Sequence, residues 1–293
     1  MRYSTRGGAR PLTPRQRLGR VLPDRLYRSL KYRQAHGVWP SLSTPRRYTE
    51  KVNWRILYDR NEDLVWTCDK LAGKAEAARR RPDIRFPAVV WTGTDVADLA
   101  EVALPERWIL KPNNSSGRAH FGTGQLDAAA AAALAAETAD WLDRREFVRL
   151  REWAYSKARP VFLVEAFIGA GPMPPTDHKI FVFDGVVRLI LVSSGRYGPI
   201  HVRTFFSADW EPTRVDSMEP SDPGQSRPAN LERLLAVAAD LGRGFDHVRV
   251  DLYNVDGEIW FGEYASYPWS GQDRILPVEV DLTWGDHWRL PGQ

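Results

Sequence analysis

The chain has 293 residues, of which 43% are hydrophobic and 27% are charged, an ordinary balance for a globular protein that buries a substantial core. No apolar run approaches the roughly 20 residues that span a bilayer, and no signal-peptide core follows the basic N-terminus. The single cysteine, Cys68, excludes an internal disulfide framework and a cysteine-based zinc cluster, so we expect a reduced, cytoplasmic setting.

The net charge of +4 is unevenly distributed along the chain. Residues 1–36 contain ten Lys and Arg and one acid, Asp24, whereas the remaining 257 residues contain 31 Lys and Arg and 36 Asp and Glu. The first segment therefore carries a local charge of +9, and the rest of the chain carries −5. Residues 1–16 are rich in Gly, Pro and Arg, which predicts a disordered arm.

Apolar residues then recur at roughly helical spacing among arginines and lysines, with Pro23 interrupting them. Three uses are open for this basic segment: it rests on an anionic membrane surface, it contacts nucleic acid or an acidic glycan, or it packs on the body with a solvated basic face. The last is favoured, because mixed basic faces are usually only solvated. The apolar residues are Leu18, Val21, Leu22, Leu26 and Leu30.

The next part of the chain alternates helical and extended patterns. Apolar periodicity predicts helices, and short runs of β-branched and aromatic residues predict strands, the first of which should be buried. The second strand ends on Lys111. The predicted helices cover residues 49–58, 63–80 and 95–103, and the predicted strands cover residues 86–91 and 107–112.

A loop of small, polar residues follows Lys111, with the sequence Asn113-Asn114-Ser115-Ser116-Gly117-Arg118. Backbone N–H groups in such loops form an anion-binding concavity, and the preceding lysine supplies a point charge. The loop is not a Walker motif. A phosphate cradle and a plain polar turn are equally consistent with this stretch.

An alanine-rich pattern predicts a helix over residues 128–143, and an apolar run predicts a strand over residues 161–168. Glu165 lies inside this strand. A carboxylate among apolar residues needs a donor, which ribose hydroxyls or an adenine edge would supply, and the alternative is a buried ion pair.

A hairpin is predicted with strands at 180–183 and 186–192, turned by Asp184-Gly185. A further strand, residues 200–206, places His201 and Arg203 on one face, where together they form an anion-binding candidate. The pattern over residues 230–243 is that of an amphipathic helix.

A second hairpin is predicted with strands at 248–254 and 258–264, turned by Asp256-Gly257. Alternation places Arg249, Asp251 and Glu263 on one sheet face. A cation and two carboxylates gathered there favour a site for a divalent cation with its phosphate ligands, and the alternative is a hairpin whose charges are solvated.

In this order, the motifs resemble those of the TupA-like ATP-grasp family, which is linked to bacterial polysaccharide and teichuronopeptide biosynthesis. The resemblance spans roughly residues 24–270. It implies an α+β ATP-grasp fold, in which two α+β lobes clasp ATP behind a helical N-terminal segment. The expected regions are a basic arm with a helix (1–45), a helical region (46–85), a small lobe (86–164) and a C-terminal lobe with the metal and nucleotide site (165–285). The matching phrases include TCDKLAGK, WILKPNNSSG, VEAFI, DHKIFVFDG, HVRTFF and VRVDLYNVDGEIWFGEYASYP.

The resemblance implies nucleotide-binding roles for two lysines, a loop and a hinge. Lys70 and Lys111 would hold the ATP phosphates, and the loop after Lys111 would fold over them. Residues 165–168 would form the hinge that meets adenine, and Asp177, with Lys179 nearby on the same strand, would lie near the ribose. The loop and hinge residues implied are Asn114, Ser115, Ser116, Gly117, Glu165, Phe167 and Ile168.

The resemblance also implies the metal ligands and the reacting groups. Asp251 and Glu263 would hold Mg²⁺, and Arg249 would face the acyl phosphate. His201 and Arg203 are weaker candidates for the substrate carboxylate or the γ-phosphate. Aromatic residues expected on the substrate side are Tyr197, Trp210, Tyr267 and Trp269.

The implied activity is that of an ATP-dependent carboxylate–amine ligase, with ATP and Mg²⁺ as cofactors and a small carboxylate and an amine, including amino-sugar or glycan-linked amines, as substrates. Contact of the basic arm with an anionic surface stays open, and no specific nucleic acid is expected. The sequence departs from the family pattern in the hinge, in the loop after Lys111 and at Ala265, which stands where many ATP-grasp ligases have a metal-binding Asn. Ser266 or water would have to substitute. The alternative is a catalytically depleted protein that binds nucleotide or glycan.

Overall fold

The computed structural model describes residues 22–143, 150–215 and 219–292. It has an α+β fold in which N-terminal helices precede two antiparallel sheets, as expected. Within the described ranges, every helix is too short or too polar to cross a membrane. The α-helices are α1 (Asp24–His36), α2 (Tyr48–Tyr58), α3 (Asp63–Cys68), α4 (Lys70–Arg80), α5 (Ala128–Thr138), α6 (Leu231–Gly242) and α7 (Val278–Asp286), and the 3₁₀ segments are Val96–Glu101, Trp153–Ser156 and Pro268–Gly271.

Helix α1 packs on the body through a polar face. Arg28 and Tyr32, four residues apart, are buried, whereas Leu26 and Leu30 are exposed. Arg28 donates from Nε to Asn53 Oδ1 at 3.0 Å and from Nη1 to Ser270 Oγ at 3.1 Å, and these hydrogen bonds fix which face turns inward. The leucine periodicity thus marks the outer face of α1, and its earlier members, Leu18 and Val21, lie outside the described residues.

The prediction of a single helix over residues 63–80 is wrong, because the helix is interrupted at Asp69, between α3 and α4. Asp69 adopts an extended conformation at the break (φ −102°, ψ 109°) and accepts from the backbone N–H of Ala72 as the N-cap of α4. Its carboxylate also accepts from Arg159 Nε and Nη2, both at 3.0 Å. Capping therefore outweighs helix continuation, and it makes Lys70 the first residue of α4.

The first sheet has the strand order β1-β4-β2-β3. One core cluster joins it to α5 and to the first 3₁₀ segment, and it contains Leu110 and Val164 of the sheet, Leu134 of α5 and Leu99 of the 3₁₀ segment. The prediction of a buried strand at 86–91 is wrong in its bounds and in its burial. The strand, β1, begins at Val89 and lies at the edge of the sheet, where Val89 is exposed. Its strands are β1 (Val89–Gly93), β2 (Arg107–Pro112), β3 (His120–Thr123) and β4 (Phe162–Ala166).

The second sheet has the order β7-β6-β5-β8-β9, with antiparallel neighbours throughout. Both predicted hairpins are confirmed. Positive φ angles at Asp184 and Gly185 (48° and 76°) and at Asp256 and Gly257 (52° and 80°) give the turn that fits the twist of a two-residue hairpin. Its strands are β5 (Asp177–Phe183), β6 (Val186–Ser194), β7 (Val202–Ser207), β8 (His247–Val255) and β9 (Glu258–Ala265).

The two faces of the second sheet bury different partners. Ile180 and Val182 of β5 face α6, whereas Phe181 and Phe183 face the cluster that contains residues of α2 and α7. Because side chains alternate, Asp177 and Lys179 continue the Phe181 face toward the start of β5. The face thus changes from aromatic to charged along one strand, and the charged part lies at the functional site.

Candidate functional site

A cavity of about 610 Å³ lies between the two sheets. The first sheet supplies Lys111 and the loop after it, the second sheet supplies charged residues of its strands, and α1 supplies Arg28 and Lys31. The structure thus brings most predicted site residues to one cavity. Those that line it are Lys70, Lys111, Ser116, Gly117, Asp177, Lys179, His201, Arg203, Arg249, Asp251 and Glu263.

Asp251 lies between two cations on the floor of this cavity. Arg249 donates to it from Nε at 2.6 Å and from Nη2 at 2.8 Å, and Lys179, its register partner on β5, donates from Nζ at 2.6 Å. Burial acts to raise the pKa of Asp251, but the charges of Arg249 and Lys179 outweigh it and lower this pKa. Asp251 is therefore ionised at neutral pH.

Two further carboxylates lie beside Asp251. Asp177 accepts from Lys179 through Oδ2, while its Oδ1 is buried without a hydrogen-bond partner. Burial raises the pKa of Asp177. Glu263 pairs with Asp251 across β8 and β9, and its Oε2 lies 3.8 Å from Lys70 Nζ. The three side chains form an oxygen-rich wall facing the lysines of the opposite side.

This wall fits a cation that shares its ligands with phosphate. Among residues 22–143, 150–215 and 219–292, no group of three or more His, Cys, Asp or Glu side chains is placed to hold a metal by itself. Mg²⁺, however, usually takes one or two carboxylates and completes its octahedron with phosphate oxygens and water. Asp251 and Glu263 supply such a pair, and the unpartnered Oδ1 of Asp177 supplies a further oxygen.

Lys111 faces the cavity from the first sheet and is bound to Glu165. Its Nζ lies 2.7 Å from Glu165 Oε2, and Lys74 of α4 binds the other carboxylate oxygen. Burial acts to raise the pKa of Glu165, but the two lysines outweigh it and lower this pKa to about 2. The ion-pair alternative for Glu165 is therefore the one seen. Lys74 was missed in the sequence, although its position one helical turn after Lys70 was a usable signal.

Only the second half of the loop after Lys111 reaches the cavity. Asn113 accepts from the backbone N–H of Leu71 and donates to the carbonyl of Arg159, both at 2.9 Å, which ties the loop to the start of α4. Asn114 and Ser115 are consequently buried and do not line the cavity, whereas Ser116 and Gly117 do. The part able to approach an anion begins at Ser116.

The predicted hinge is not among the residues that line the cavity. The backbone N–H of Phe167 donates to the carbonyl of Arg107 at 3.0 Å, and the Phe167 ring lies under the Arg107 guanidinium, 3.7 Å from it. Ile168 is buried, and Glu165 is occupied by its lysines. The structure therefore holds Glu165 within β4 and Phe167 and Ile168 directly after it, and their adenine role stays a prediction.

His201 and Arg203 reach the cavity, with partners of their own. His201 Nε2 lies 2.9 Å from Ser193 Oγ, and burial, followed by the nearby charge of Arg203, lowers the pKa of this histidine. Arg203 donates to Glu219 and Asp273, both at 3.2 Å. This end of the cavity thus pairs a guanidinium with two carboxylates, of which the sequence indicated only the guanidinium.

Three of the four predicted substrate-side aromatics line the cavity, namely Tyr197, Tyr267 and Trp269. The prediction for Trp210 is wrong, because its ring stacks on Phe206 at 4.4 Å inside the core. Trp269 adopts a left-handed conformation (φ 50°), a strained arrangement that the surrounding contacts must hold.

The residues after Glu263 bear on the departure from the ligase pattern. Ala265 lines the cavity but offers no side-chain oxygen. Ser266 is buried, and its Oγ is 2.7 Å from Thr67 Oγ1, so its hydroxyl serves α3 rather than the cavity. The expectation that Ser266 replaces the missing ligand is therefore not supported.

The described lining carries nine Lys and Arg side chains against six Asp and Glu, a formal excess of three positive charges. Such an excess favours a polyanionic ligand. The lining residues that the sequence pattern does not indicate include Arg28, Lys31, Glu152, Arg196, Glu219 and Asp273.

Comparison with known proteins gives one family. The family model described as TupA-like ATPgrasp matches residues 50–289, which is most of the chain. No curated protein matches the sequence.

Among solved structures, the chain is similar to D-alanine–D-alanine ligase from Bacillus anthracis complexed with ATP (16% identity, TM-score 0.37, 69% of this chain and 55% of that chain). It is also similar to D-alanine–D-alanine ligase from Helicobacter pylori (12% identity, TM-score 0.45, 78% and 59%) and to L-amino acid ligase from Bacillus licheniformis (16% identity, TM-score 0.40, 73% and 44%). The chain thus spans about half of the length of these proteins.

Proposed function

Because the chain belongs to the TupA-like ATP-grasp family, we propose that it is an ATP-dependent carboxylate–amine ligase. The observation that carries the proposal is the opposition of charges across one cavity. Lys70 and Lys111 lie on one side, and Arg249, Asp251 and Glu263 lie on the other. A triphosphate needs cations on several sides together with a carboxylate-bound Mg²⁺, and this arrangement supplies the cationic side chains and the carboxylates that would hold the ion.

In the proposed complex, Lys70 and Lys111 hold phosphate oxygens, and the backbone after Ser116 approaches them. Asp251 and Glu263 would hold Mg²⁺, which supplies positive charge that neutralises the triphosphate and the departing ADP. Burial lowers the pKa of Lys70, and Glu263 acts in the opposite direction, so Glu263 helps to keep this lysine charged. Arg249 stays cationic, because Asp251 outweighs the effect of burial and raises its pKa.

The proposed chemistry has two steps. A substrate carboxylate oxygen attacks the γ-phosphorus, the bond to the β-γ bridging oxygen breaks, and an acyl phosphate and ADP form. An amine nitrogen then attacks the acyl carbon, phosphate leaves, and the nitrogen loses its proton. Arg249 stabilises the negative charge that develops near the acyl group. A cysteine nucleophile is not required, and burial raises the pKa of the Cys68 thiol, which keeps it protonated and unreactive.

The identity of the substrates rests on the family resemblance and on charge. The cavity lining has an excess of three positive charges, and bound Mg·ATP would carry a net charge near −2. The lining would therefore stay positively charged and would attract a substrate carboxylate. We extend the proposal to amino-sugar or glycan-linked amines as acceptors, in surface-polysaccharide biosynthesis, and to a cytoplasmic setting where ATP is available.

A second candidate function is nucleotide binding without turnover. Ala265 offers no metal ligand, the Ser266 hydroxyl is bound to Thr67, and Asp251 already accepts three hydrogen bonds from two cations. These observations favour a depleted site. The two candidates differ in whether bound ATP is consumed.

The test begins with thermal unfolding in the presence of ATP, with and without Mg²⁺. When the ATP concentration is 100 times the dissociation constant, the free energy of unfolding of the wild type should rise by about 2.7 kcal/mol, and this gain should require Mg²⁺. At the same ATP concentration, Lys111→Met and Glu263→Gln should reduce this gain to about half or less. Matched controls are Lys157→Met, at an exposed lysine, and Glu258→Gln, at an exposed carboxylate of the same strand as Glu263.

ADP release is then measured with a panel of carboxylate and amine pairs. ADP formation that requires both substrates, and falls at least about 100-fold in Glu263→Gln, supports the ligase. A Mg²⁺-dependent ATP shift without ADP release across the panel favours the depleted alternative. No ATP shift in the wild type, with controls folded, contradicts both.

A further inference from the structure

The outer face of α1 is apolar where the inner face is polar. Leu26 and Leu30 are 44% and 41% exposed, whereas Arg28 and Tyr32 are at most 1% exposed. Residues four apart share a helix face, and Leu26 and Arg28 are separated by about 200° around the axis. The helix is therefore amphipathic in the opposite sense from one that packs its leucines on the body, and its apolar side faces outward.

The apolar surface continues beyond the end of α1. Gly37 ends the helix in a left-handed conformation (φ 79°), and the next two residues, Val38 and Trp39, are 43% and 52% exposed. The guanidinium of Arg33 lies 4.7 Å from the centre of the Trp39 ring, which places the tryptophan beside the last turn of the helix. Leu26, Leu30, Val38 and Trp39 constitute what we call the α1 surface.

Positive charge surrounds the α1 surface. Arg25 and Arg33 are exposed at its edges. The single acid of residues 1–36, Asp24, lies 3.3 Å from Arg151, which offsets its charge. Exposed leucines and a tryptophan, flanked by arginines and preceded by a strongly basic segment, have the chemistry that binds the interface of an anionic bilayer. The phosphates of a nucleic acid would bind the arginines, but they would give the exposed leucines no apolar partner.

We propose that the α1 surface docks this protein on an anionic membrane, with its apolar side chains entering the headgroup region and its arginines binding lipid phosphates. The helix is held to the body by Arg28, which donates to Asn53 and to Ser270. Lys31 of the same helix lines the cavity. Docking therefore brings the cavity rim that contains Arg28, Lys31 and Ser270 close to the lipid surface, where a lipid-linked substrate would be presented.

The test is co-sedimentation of the full chain with vesicles of phosphatidylcholine alone and of phosphatidylcholine with 30% phosphatidylglycerol. The wild type should bind the anionic vesicles at least tenfold more tightly. Leu26→Ser/Leu30→Ser keeps every basic residue, and it should weaken this binding at least tenfold; Val38→Ser/Trp39→Ser is a second, independent variant. The control Val186→Ser/Ile200→Ser removes two apolar side chains of similar exposure, 46% and 62%, and should bind like the wild type.

Three results would overturn the proposal. The first is no preference of the wild type for anionic vesicles. The second is unchanged binding of both α1-surface variants with melting temperatures equal to that of the wild type, which would assign the attraction to charge alone. The third is tighter binding of a DNA duplex than of anionic vesicles at the same salt concentration. If the α1-surface variants lose vesicle binding while ATP raises their melting temperature as it does that of the wild type, the result supports docking independently of the proposed ligase activity.

Discussion

Two carboxylates in this protein have the same local charge pattern and different positions. Glu165 lies between Lys111 and Lys74, and Asp251 lies between Arg249 and Lys179. Both are buried, and each group carries one net positive charge. Their positions differ, because Asp251 lines the cavity and Glu165 does not.

The difference follows from where the cations come from. Glu165 joins a strand of the first sheet to α4, because Lys111 lies on β2 and Lys74 on the helix that covers the carboxylate. The cations of Asp251 come from its own strand and from the neighbouring strand β5, and Asp251 lines the cavity with Glu263 beside it. The two ion pairs thus differ in whether the carboxylate faces the cavity, and the proposed function uses only the one that does.

The largest expected effect is on stability and distinguishes the structural carboxylate. Glu165→Ala leaves Lys74 and Lys111 without their shared partner and should lower the free energy of unfolding by about 3–5 kcal/mol. Urea unfolding of the full chain measures it. Glu258→Ala removes an exposed carboxylate, paired with Arg85 only at 3.5 Å, and should change stability by less than about 1 kcal/mol. Equal effects of the two substitutions would contradict the structural role.

The same comparison predicts a pH dependence. The pKa of Glu165 is lowered to about 2, against burial, by Lys111 and Lys74. In the unfolded chain, the pKa of Glu165 is about 4.5, so above this pH the ionised carboxylate stabilises the fold by its full contribution of about 3 kcal/mol. This contribution disappears as the pH falls from about 4.5 toward 2. The stability difference between wild type and Glu165→Gln, measured by urea unfolding at pH 7, 5, 4 and 3, should therefore shrink below pH 4.5. A constant difference would rule out this linkage.

The third effect separates the two lysines of Glu165 by ligand binding. Lys111 lines the cavity and Lys74 does not, although both bind the same carboxylate. Lys111→Met should weaken ATP binding by about 10- to 100-fold, the loss of a charge-assisted contact worth about 1.5–3 kcal/mol. Lys74→Met should leave the ATP dissociation constant within about threefold while lowering stability. Calorimetric titration measures both, and equal losses of affinity would argue against direct contact between Lys111 and ATP.

The smallest expected effect concerns Ala265, which lines the cavity near Asp251 and Glu263. Ala265→Asn adds an oxygen to the cavity wall near Glu263 and should lower the Mg²⁺ concentration that half-saturates the ATP shift by about three- to tenfold. Ala265→Leu is the control of similar size that adds no oxygen. An unchanged Mg²⁺ requirement in Ala265→Asn would mean that this position does not reach the metal.

The residue pattern by itself determined both hairpins and the shared face of Arg249, Asp251 and Glu263, whereas the α+β class was implied by the family resemblance. These features depend on local turn chemistry and on alternation along a strand, which neighbouring residues fix. The family resemblance was confirmed over residues 50–289. Local patterns did not, however, reveal which side chains meet across the chain.

Only the tertiary structure decided what each charged residue binds. Lys74 meets Glu165 from 91 positions away, and Arg159 holds the break at Asp69 from 90. These long-range partners interrupted the helix predicted over residues 63–80 and gave Glu165 the ion-pair partners that its strand pattern left open. The outward turn of Leu26 and Leu30 has the same origin, because the hydrogen bonds of Arg28 to Asn53 and Ser270 fix the rotation of α1. Periodicity identifies the faces of a helix, but the partners available in the fold decide which face is buried.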